Sequence, residues 1–192
     1  MFSYFYFMQI TGIILAGGQS SRMGTDKALI RLNGKTLMEN AIEICKPVCS
    51  AILISSNNPK HKNFGFAVIP DEINNCGPMS GIYSCLNKSE TDWNFIISVD
   101  TALIPEDFVH FLISETGEFD AVVPIHENGK EPLVALYRKN CVPVIQERIE
   151  LKNYKMYNLL NEFNTKFINV DSWVQKYPAI FKNINRPEDL IL

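Results

Sequence analysis

Four short apolar runs, each cut off by a polar or glycine-bearing turn and separated by stretches of helical spacing, restrict the folds open to this chain. Ile10 to Leu15 ends in Ala16-Gly17-Gly18, and Ala51 to Ile54 ends in Ser55-Ser56-Asn57-Asn58-Pro59. Phe66 to Ile69 stops at Pro70-Asp71, and Asn94 to Val99 stops at Asp100. Compact runs of this kind are the pattern of strands buried on both faces. Between them, Leu37, Ala41, Ile42 and Ile44 recur at near-helical spacing behind Thr36, a candidate N-cap. Ser80 to Leu86 reads as a helix after Gly77-Pro78. Strands alternating with helices predict right-handed βαβ units, and so an α/β three-layer sandwich around a mostly parallel sheet.

The second half is more mixed. Ala121–Pro124 and Pro132–Tyr137 read as strands around Glu127-Asn128-Gly129-Lys130, whose Asn-Gly dipeptide favours a hairpin, so an antiparallel or bulged excursion is expected there. Val142–Ile149 and Met156–Phe163 read as helices, Phe167–Val170 and Ile180–Lys182 as short strands, and Pro187 as the start of a last helix. With no repeat or long linker, residues 9–192 are expected to form one domain. Met1–Met8 is an aromatic stretch with no charged side chain, too short to cross a bilayer and without the basic start of a secretory signal. It reads either as a disordered extension or as residues upstream of a start at Met8. Five cysteines form no CxxC pair and are expected to be reduced intracellular thiols, with the cytoplasm as the default address. A net charge of -3 argues against bulk nucleic-acid binding, while leaving room for local positive clusters that hold one phosphate-bearing ligand.

Such ligands bind beyond the carboxyl ends of parallel strands, where the chain carries its most informative residues. The loop from Gly17 to Lys27 has neither GxxxxGK[ST] nor GxGxxG, so it is neither a P-loop nor a dinucleotide fingerprint. Its small residues let backbone N–H groups approach phosphate oxygens, and Arg22 and Lys27 add fixed positive charge. A solvated surface loop with incidental charges is the bland alternative, and the run as a whole favours phosphate binding over it. Asp100, at the end of a buried strand, suits a magnesium ion better than a solvated turn, since a cation compensates a costly carboxylate. Asp71 is either a turn residue after Pro70 or a carboxylate receptor for a base edge or for ribose hydroxyls. His61, His110 and His126 share no metal-like spacing and read as surface or packing residues, although His126 stands close enough to the turn to face the site.

Leu15-Ala16-Gly17-Gly18-x-Ser20-x-Arg22-Met23-Gly24-x-Asp26-Lys27 resembles the signature of the molybdenum cofactor guanylyltransferases, within a larger group of nucleotidyltransferases that includes sugar-nucleotide pyrophosphorylases. Asp71 with Gly77-Pro78-Met79-Ser80-Gly81-Ile82, Val99-Asp100-Thr101 with Pro105, Glu131–Tyr137, and Asn183–Leu190 are similar to further segments of that family, in family order. The resemblance implies a Rossmann-like sheet of the nucleotide-diphospho-sugar transferase type and transfer of GMP from GTP to molybdenum-bound molybdopterin with magnesium. It implies Arg22, Lys27 and Asp100 as catalytic residues, Asp100 as the metal ligand, and Leu15, Ala16, Gly17, Gly18, Lys27, Ser55, Asn57, Asp71, Gly77 and Asp100 around the nucleotide. Lys130, Glu131, Asn183 and Asn185 would meet the acceptor, the asparagines alternatively completing the metal shell; capping before Pro187 is an equal reading for the two asparagines, and a plain turn charge pair is the bland one for Lys130 and Glu131. Neither nucleic acid nor membrane is an expected partner, whereas transient contact with molybdopterin-donor or molybdoenzyme-maturation proteins is. This chain departs from the family pattern at Val99, where cysteine is common, at Ala102, where proline is common, and at Ser55, which aligns with a nucleotide-contacting asparagine; Asn57 or Asn58 would take over that contact. A sister transferase using CTP or a sugar phosphate, and a catalytically silent nucleotide-binding domain, are the competing readings.

Overall fold

The computed structural model describes residues 8–17, 26–184 and 189, so Gly18, Arg22, Asn185 and the helix expected from Pro187 lie outside the described residues. In chain order, β1 (Ile10–Leu15) is followed by a ribbon of β2 (Arg31–Leu32) and β3 (Lys35–Thr36), then α1 (Leu37–Cys45), β4 (Ala51–Ser55) and β5 (Ala67–Ile69). Next come α2 (Pro78–Lys88), β6 (Trp93–Ser98), α3 (Glu106–Ser114), β7 (Ala121–His126), β8 (Gly129–Lys130) and β9 (Val134–Arg138). The described residues close with α4 (Val142–Glu150), α5 (Met156–Leu160), β10 (Thr165–Asn169) and α6 (Asp171–Lys176).

The main sheet runs β10-β7-β9-β6-β1-β4-β5, with β8 paired to β7. β1 is parallel to both β4 and β6, and β10 is parallel to β7, while β9 runs antiparallel to β6 and β7. The expected antiparallel excursion is therefore an inserted strand inside the sheet. β1 is buried at all six positions, as a central strand covered on both faces must be. Its side chains alternate: Ile10 and Ile14 join the cluster with α1 and α3, whereas Ile13 and Leu15 join the cluster with α2, α4 and α5. This alternation is the physical content of the three layers.

Local chemistry sets the element ends. Thr36 accepts from the Glu39 amide at 3.1 Å and Glu39 accepts from the Thr36 amide at 2.6 Å, a capping box that starts α1. Asn33 and Gly34 turn the small ribbon with φ of 51° and 85°, the two positive values of a tight hairpin turn. Gly77 stands before α2 with φ 61° and ψ -144°, a conformation that favours glycine, and Pro78 opens the helix behind it.

Besides the unexpected β2–β3 ribbon, three elements depart from the sequence expectation. Ile180–Lys182 is a turn rather than a strand: the Ile180 amide bonds to Tyr177 O and the Lys182 amide to Ala179 O, so Ile180 is buried from a turn. α3 and α6 occupy stretches for which no element was expected. α3 buries Phe108, Val109, Leu112 and Ile113 behind acidic Glu106 and Asp107 in its first turn, which suit the positive end of a helix.

α2 approaches β4 closely at Gly81, where an added Cβ would run into the Ser55 hydroxyl and lie 3.1 Å from Ser55 Cβ and 3.2 Å from Leu15 Cδ2. Gly81→Ala is expected to destabilise the fold by about 1–3 kcal/mol, read as a lowered thermal midpoint. Adding Ser55→Ala should recover part of the loss, and strictly additive effects would contradict the contact.

Candidate active site

The strand registers bring the loops together. Leu15 stands opposite Ser55 on one side and Ser98 on the other. One step further, the Ala16 amide bonds to Ser55 O at 3.0 Å and the Val99 amide to Leu15 O at 3.0 Å. Ala16-Gly17, Ser56-Asn57 and Asp100 therefore emerge side by side at the carboxyl edge of the sheet. With Asp71 and the first turn of α2, they line a cleft of about 1150 Å³. Leu15, Ala16, Gly17, Lys27, Ser55, Asn57, Asp71, Gly77 and Asp100 all border it. The amide end of α2 adds positive potential to the same cleft.

Lys27 Nζ lies 3.3 Å from Asp100 Oδ2, although the two residues are 73 apart in sequence. The Ser98 hydroxyl donates to the other Asp100 oxygen at 2.6 Å. The Asp100 carbonyl accepts from the Ile184 amide at 2.9 Å, and the Thr101 hydroxyl donates to Asn183 Oδ1 at 3.1 Å. The turn after β6 is thus held by the segment that follows α6, which brings Asn183 beside Asp100. Asp100 keeps 18% of its side chain exposed and Lys27 keeps 32%, so both remain within reach of a ligand in the cleft.

At the other end of the cleft, Asn57 holds Asp71. Its Nδ2 donates to Asp71 Oδ2 at 3.2 Å and its Oδ1 accepts from the Asp71 amide at 2.9 Å. Burial pushes the Asp71 carboxyl above the usual carboxylate value, and the Asn57 hydrogen bond offsets this in part. Behind it, burial and then the charge of Asp71 push the Cys85 thiol up to about 12, so this cysteine stays protonated. Ser55 is only 2% exposed and contributes its backbone carbonyl at the rim, its hydroxyl being turned toward α2.

The expected acceptor residues are spread more widely. The Ser98 amide bonds to Leu133 O at 3.0 Å, which sets the Glu131–Leu133 turn next to the strand end that carries Asp100. Glu131 Oε1 accepts from His126 Nε2 at 2.9 Å, and the His126 ring stacks on Phe181 at 5.2 Å. Lys130 turns away, its ammonium 4.2 Å from the centre of the Phe167 ring on the edge strand β10. Further residues border the cleft: Asn58, expected as a stand-in for the Ser55 contact, joins Asp26 and His61 in a cluster beside Lys27, and Asn74 and Asn75, which carried no expectation, precede Gly77. Asp26 stands inside the signature loop and was within reach of the sequence argument; His61 carried no signal.

Among the described residues no group of three or more His, Cys, Asp or Glu side chains could hold a metal ion. The Asp100 carboxylate, in no such group among the described residues, suits an ion that completes its shell with phosphate oxygens and water, which is the habit of magnesium. Likewise among the described residues, no helix is long and apolar enough to cross a membrane.

Comparison with known proteins adds a family to this geometry. The family model described as the MobA-like NTP transferase domain matches residues 12–166. A protein of Natranaerobius thermophilus named "probable molybdenum cofactor guanylyltransferase" is 34% identical over 190 residues, covering 94% of this chain and 93% of that protein. The molybdenum cofactor guanylyltransferase of Vibrio campbellii is 35% identical over 187 residues, covering 95% and 93%. Among solved structures, molybdopterin-guanine dinucleotide biosynthesis protein A from Archaeoglobus fulgidus superposes with a TM-score of 0.77 over 94% of each chain at 23% identity, a likeness of fold.

The raised Asp71 pKa yields a stability prediction. The native state holds this proton more tightly than the unfolded chain, so ionising Asp71 costs native stability as pH rises from about 3.9 through the raised value. Asp71→Asn, which cannot ionise, should be more stable than wild type at neutral pH, with the difference shrinking as pH falls toward that window. Chemical denaturation across a pH series measures it; a difference that is independent of pH would contradict the burial argument.

Proposed function

Since the chain belongs to the MobA-like NTP transferase family, we propose that it transfers GMP from GTP to the terminal phosphate of molybdenum-bound molybdopterin, giving the guanine dinucleotide form of the cofactor and pyrophosphate. The observation that carries this reading is the meeting of Lys27 and Asp100 at 3.3 Å on the rim of the cleft. The guanylyltransferase names of relatives at 34% and 35% identity support the choice of reaction.

The chemistry asks little of the protein by way of acid–base catalysis. A phosphate monoester, with a second pKa of about 6, is already largely ionised at neutral pH and can attack the α-phosphate without a general base. Positioning and charge stabilisation remain. In this reading the backbone of Ala16-Gly17 lies along the triphosphate, and Lys27, with Arg22 of the same loop, offsets charge developing on the α-phosphate and the leaving pyrophosphate. Asp100, oriented by the Ser98 hydroxyl, would hold a magnesium ion, which when bound neutralises the same leaving group. Asp71, held by Asn57, is an acceptor-only group suited to the N1–H and amino donors of guanine. Glu131 and Asn183 would border the acceptor phosphate's side of the rim; Lys130, engaged with Phe167, would reach it by releasing that ring. The work is that of a soluble biosynthetic enzyme, for which we propose the cytoplasm as the setting.

Pyrophosphate release from GTP, CTP, ATP and UTP, with magnesium and molybdopterin present, tests the substrate. GTP should be preferred, and a preference for CTP would remove the guanylyl assignment. Asp100→Ala should lower kcat by about 10²–10³-fold, the scale of removing one preorganised charge-stabilising group, without loss of the folded state. Lys27→Ala should weaken both GTP binding and turnover. Wild-type turnover in Asp100→Ala would refute the role given to that carboxylate.

A further inference from the structure

Lys27 is a long side chain with many rotamers, and holding its ammonium beside Asp100 requires the backbone beneath it to be fixed. The residue before it is where that fixing occurs. Asp26 Oδ1 accepts from the Ala28 amide at 3.0 Å and so caps the short 3-10 turn Lys27–Leu29. Asp26 Oδ2 takes two side-chain donors from the loop after β4: Asn58 Nδ2 at 2.7 Å and His61 Nε2 at 2.8 Å. An ionised carboxylate only accepts, so the imidazole must present Nε2–H to it.

Both donors are themselves built in. Asn58 Oδ1 accepts from the Lys60 amide at 3.0 Å, which caps the 3-10 segment Pro59–Phe64 that carries His61, and Ser56 Oγ accepts from the Asn58 amide at 3.0 Å. His61 is 1% exposed, and its Nδ1 is buried without a hydrogen-bond partner among the described residues. A position that served packing alone would be filled better by an apolar ring, because a buried nitrogen left unpaired is costly. What the imidazole supplies that an apolar ring does not is the single bond to Asp26.

We infer that His61 and Asn58 are positioning residues for the transferase reaction, acting through Asp26 to fix the turn from which Lys27 reaches the triphosphate and Asp100. They touch no reacting atom. The inference rests on the transferase reading above, and its test separates the two. Four quantities are measured: kcat and KM for GTP by pyrophosphate release, GTP affinity by calorimetry, and the thermal midpoint. The variants are Asp26→Asn, His61→Ala and His61→Gln, each alone and combined with Lys27→Ala. Asp26→Asn and His61→Ala should lower kcat/KM by roughly tenfold to a hundredfold, as a misplaced catalytic group does. His61→Gln, whose amide can still donate to Asp26, should recover most of the loss. Once Lys27 is alanine, the same substitutions should change GTP affinity by less than about twofold, because their effect runs through that lysine.

An undiminished loss in the Lys27→Ala background would overturn the positioning role, as would wild-type kinetics in Asp26→Asn. Should His61→Ala fail to fold, Asp26→Asn decides alone, since its side chain is 25% exposed and its replacement opens no cavity. If Lys27→Ala itself binds and turns over GTP like wild type, the role of Lys27 in transfer falls, and the positioning role with it. A disabled Lys27→Ala beside a silent Asp26→Asn overturns the positioning role only.

Discussion

The site depends on one constraint, the parallel register of β1 between β4 and β6. With Leu15 opposite both Ser55 and Ser98, the three strands end at one level, and every loop that leaves them must share a rim. A shift of one residue in a strand would reverse its faces and move its buried set into water. The same hydrophobic burial that holds the register thus places Asp100 next to the first loop. The Lys27–Asp100 pair is a consequence of this arrangement, and a partly exposed ion pair of this kind adds only about 0–1 kcal/mol to stability. In the proposed reaction its value is chemical, the ammonium serving a phosphate and the carboxylate a cation.

The sheet also divides the site into two sides. β4, β5 and α2 frame the half with Asn57, Asp71 and Gly77, the neutral and acidic side to which the proposal assigns the base. β9, inserted antiparallel beside β6, brings the Glu131–Leu133 turn to the opposite side of Asp100, and the Ile184 amide braces the turn after β6 through the Asp100 carbonyl. Asp100 stands between the two sides, where the proposed transfer would pass. An inserted antiparallel strand is therefore more than a topological detail, since a parallel one would start at the opposite edge of the sheet and leave the preceding Glu131–Leu133 turn there.

The elements legible in the sequence were those whose signal is local. β1, β4, β5 and β6 announced themselves as apolar runs with abrupt stops, and α1 through the Thr36 cap. The Asn33-Gly34 turn and the Phe108, Val109, Leu112, Ile113 stripe were equally local and went unread, the first because the ribbon has two residues per strand, the second because Pro105 reads as a loop. α6 buries no residue fully and has little amphipathic pattern to read. Ile180 and Phe181 looked like a strand because burial alone does not distinguish an extended segment from a turn pressed into the core. In the site, the rim residues were legible because they follow strands or match a family motif. The Asp26–His61 contact spans 35 residues and exists only through tertiary packing, so no spacing in the sequence could disclose it.

In the proposed reaction one triphosphate is gripped between the loop after β1 and a cation on Asp100. A crystal of this protein grown with manganese and a non-hydrolysable GTP analogue would test it directly through the anomalous signal of the metal. Manganese is expected on the Asp100 carboxylate at about 2.0–2.2 Å, the range of a small hard divalent ion, with phosphate oxygens completing its shell and Lys27 on the same triphosphate. Manganese and phosphates bound away from Asp100, or a triphosphate lying out of reach of Lys27, would contradict it.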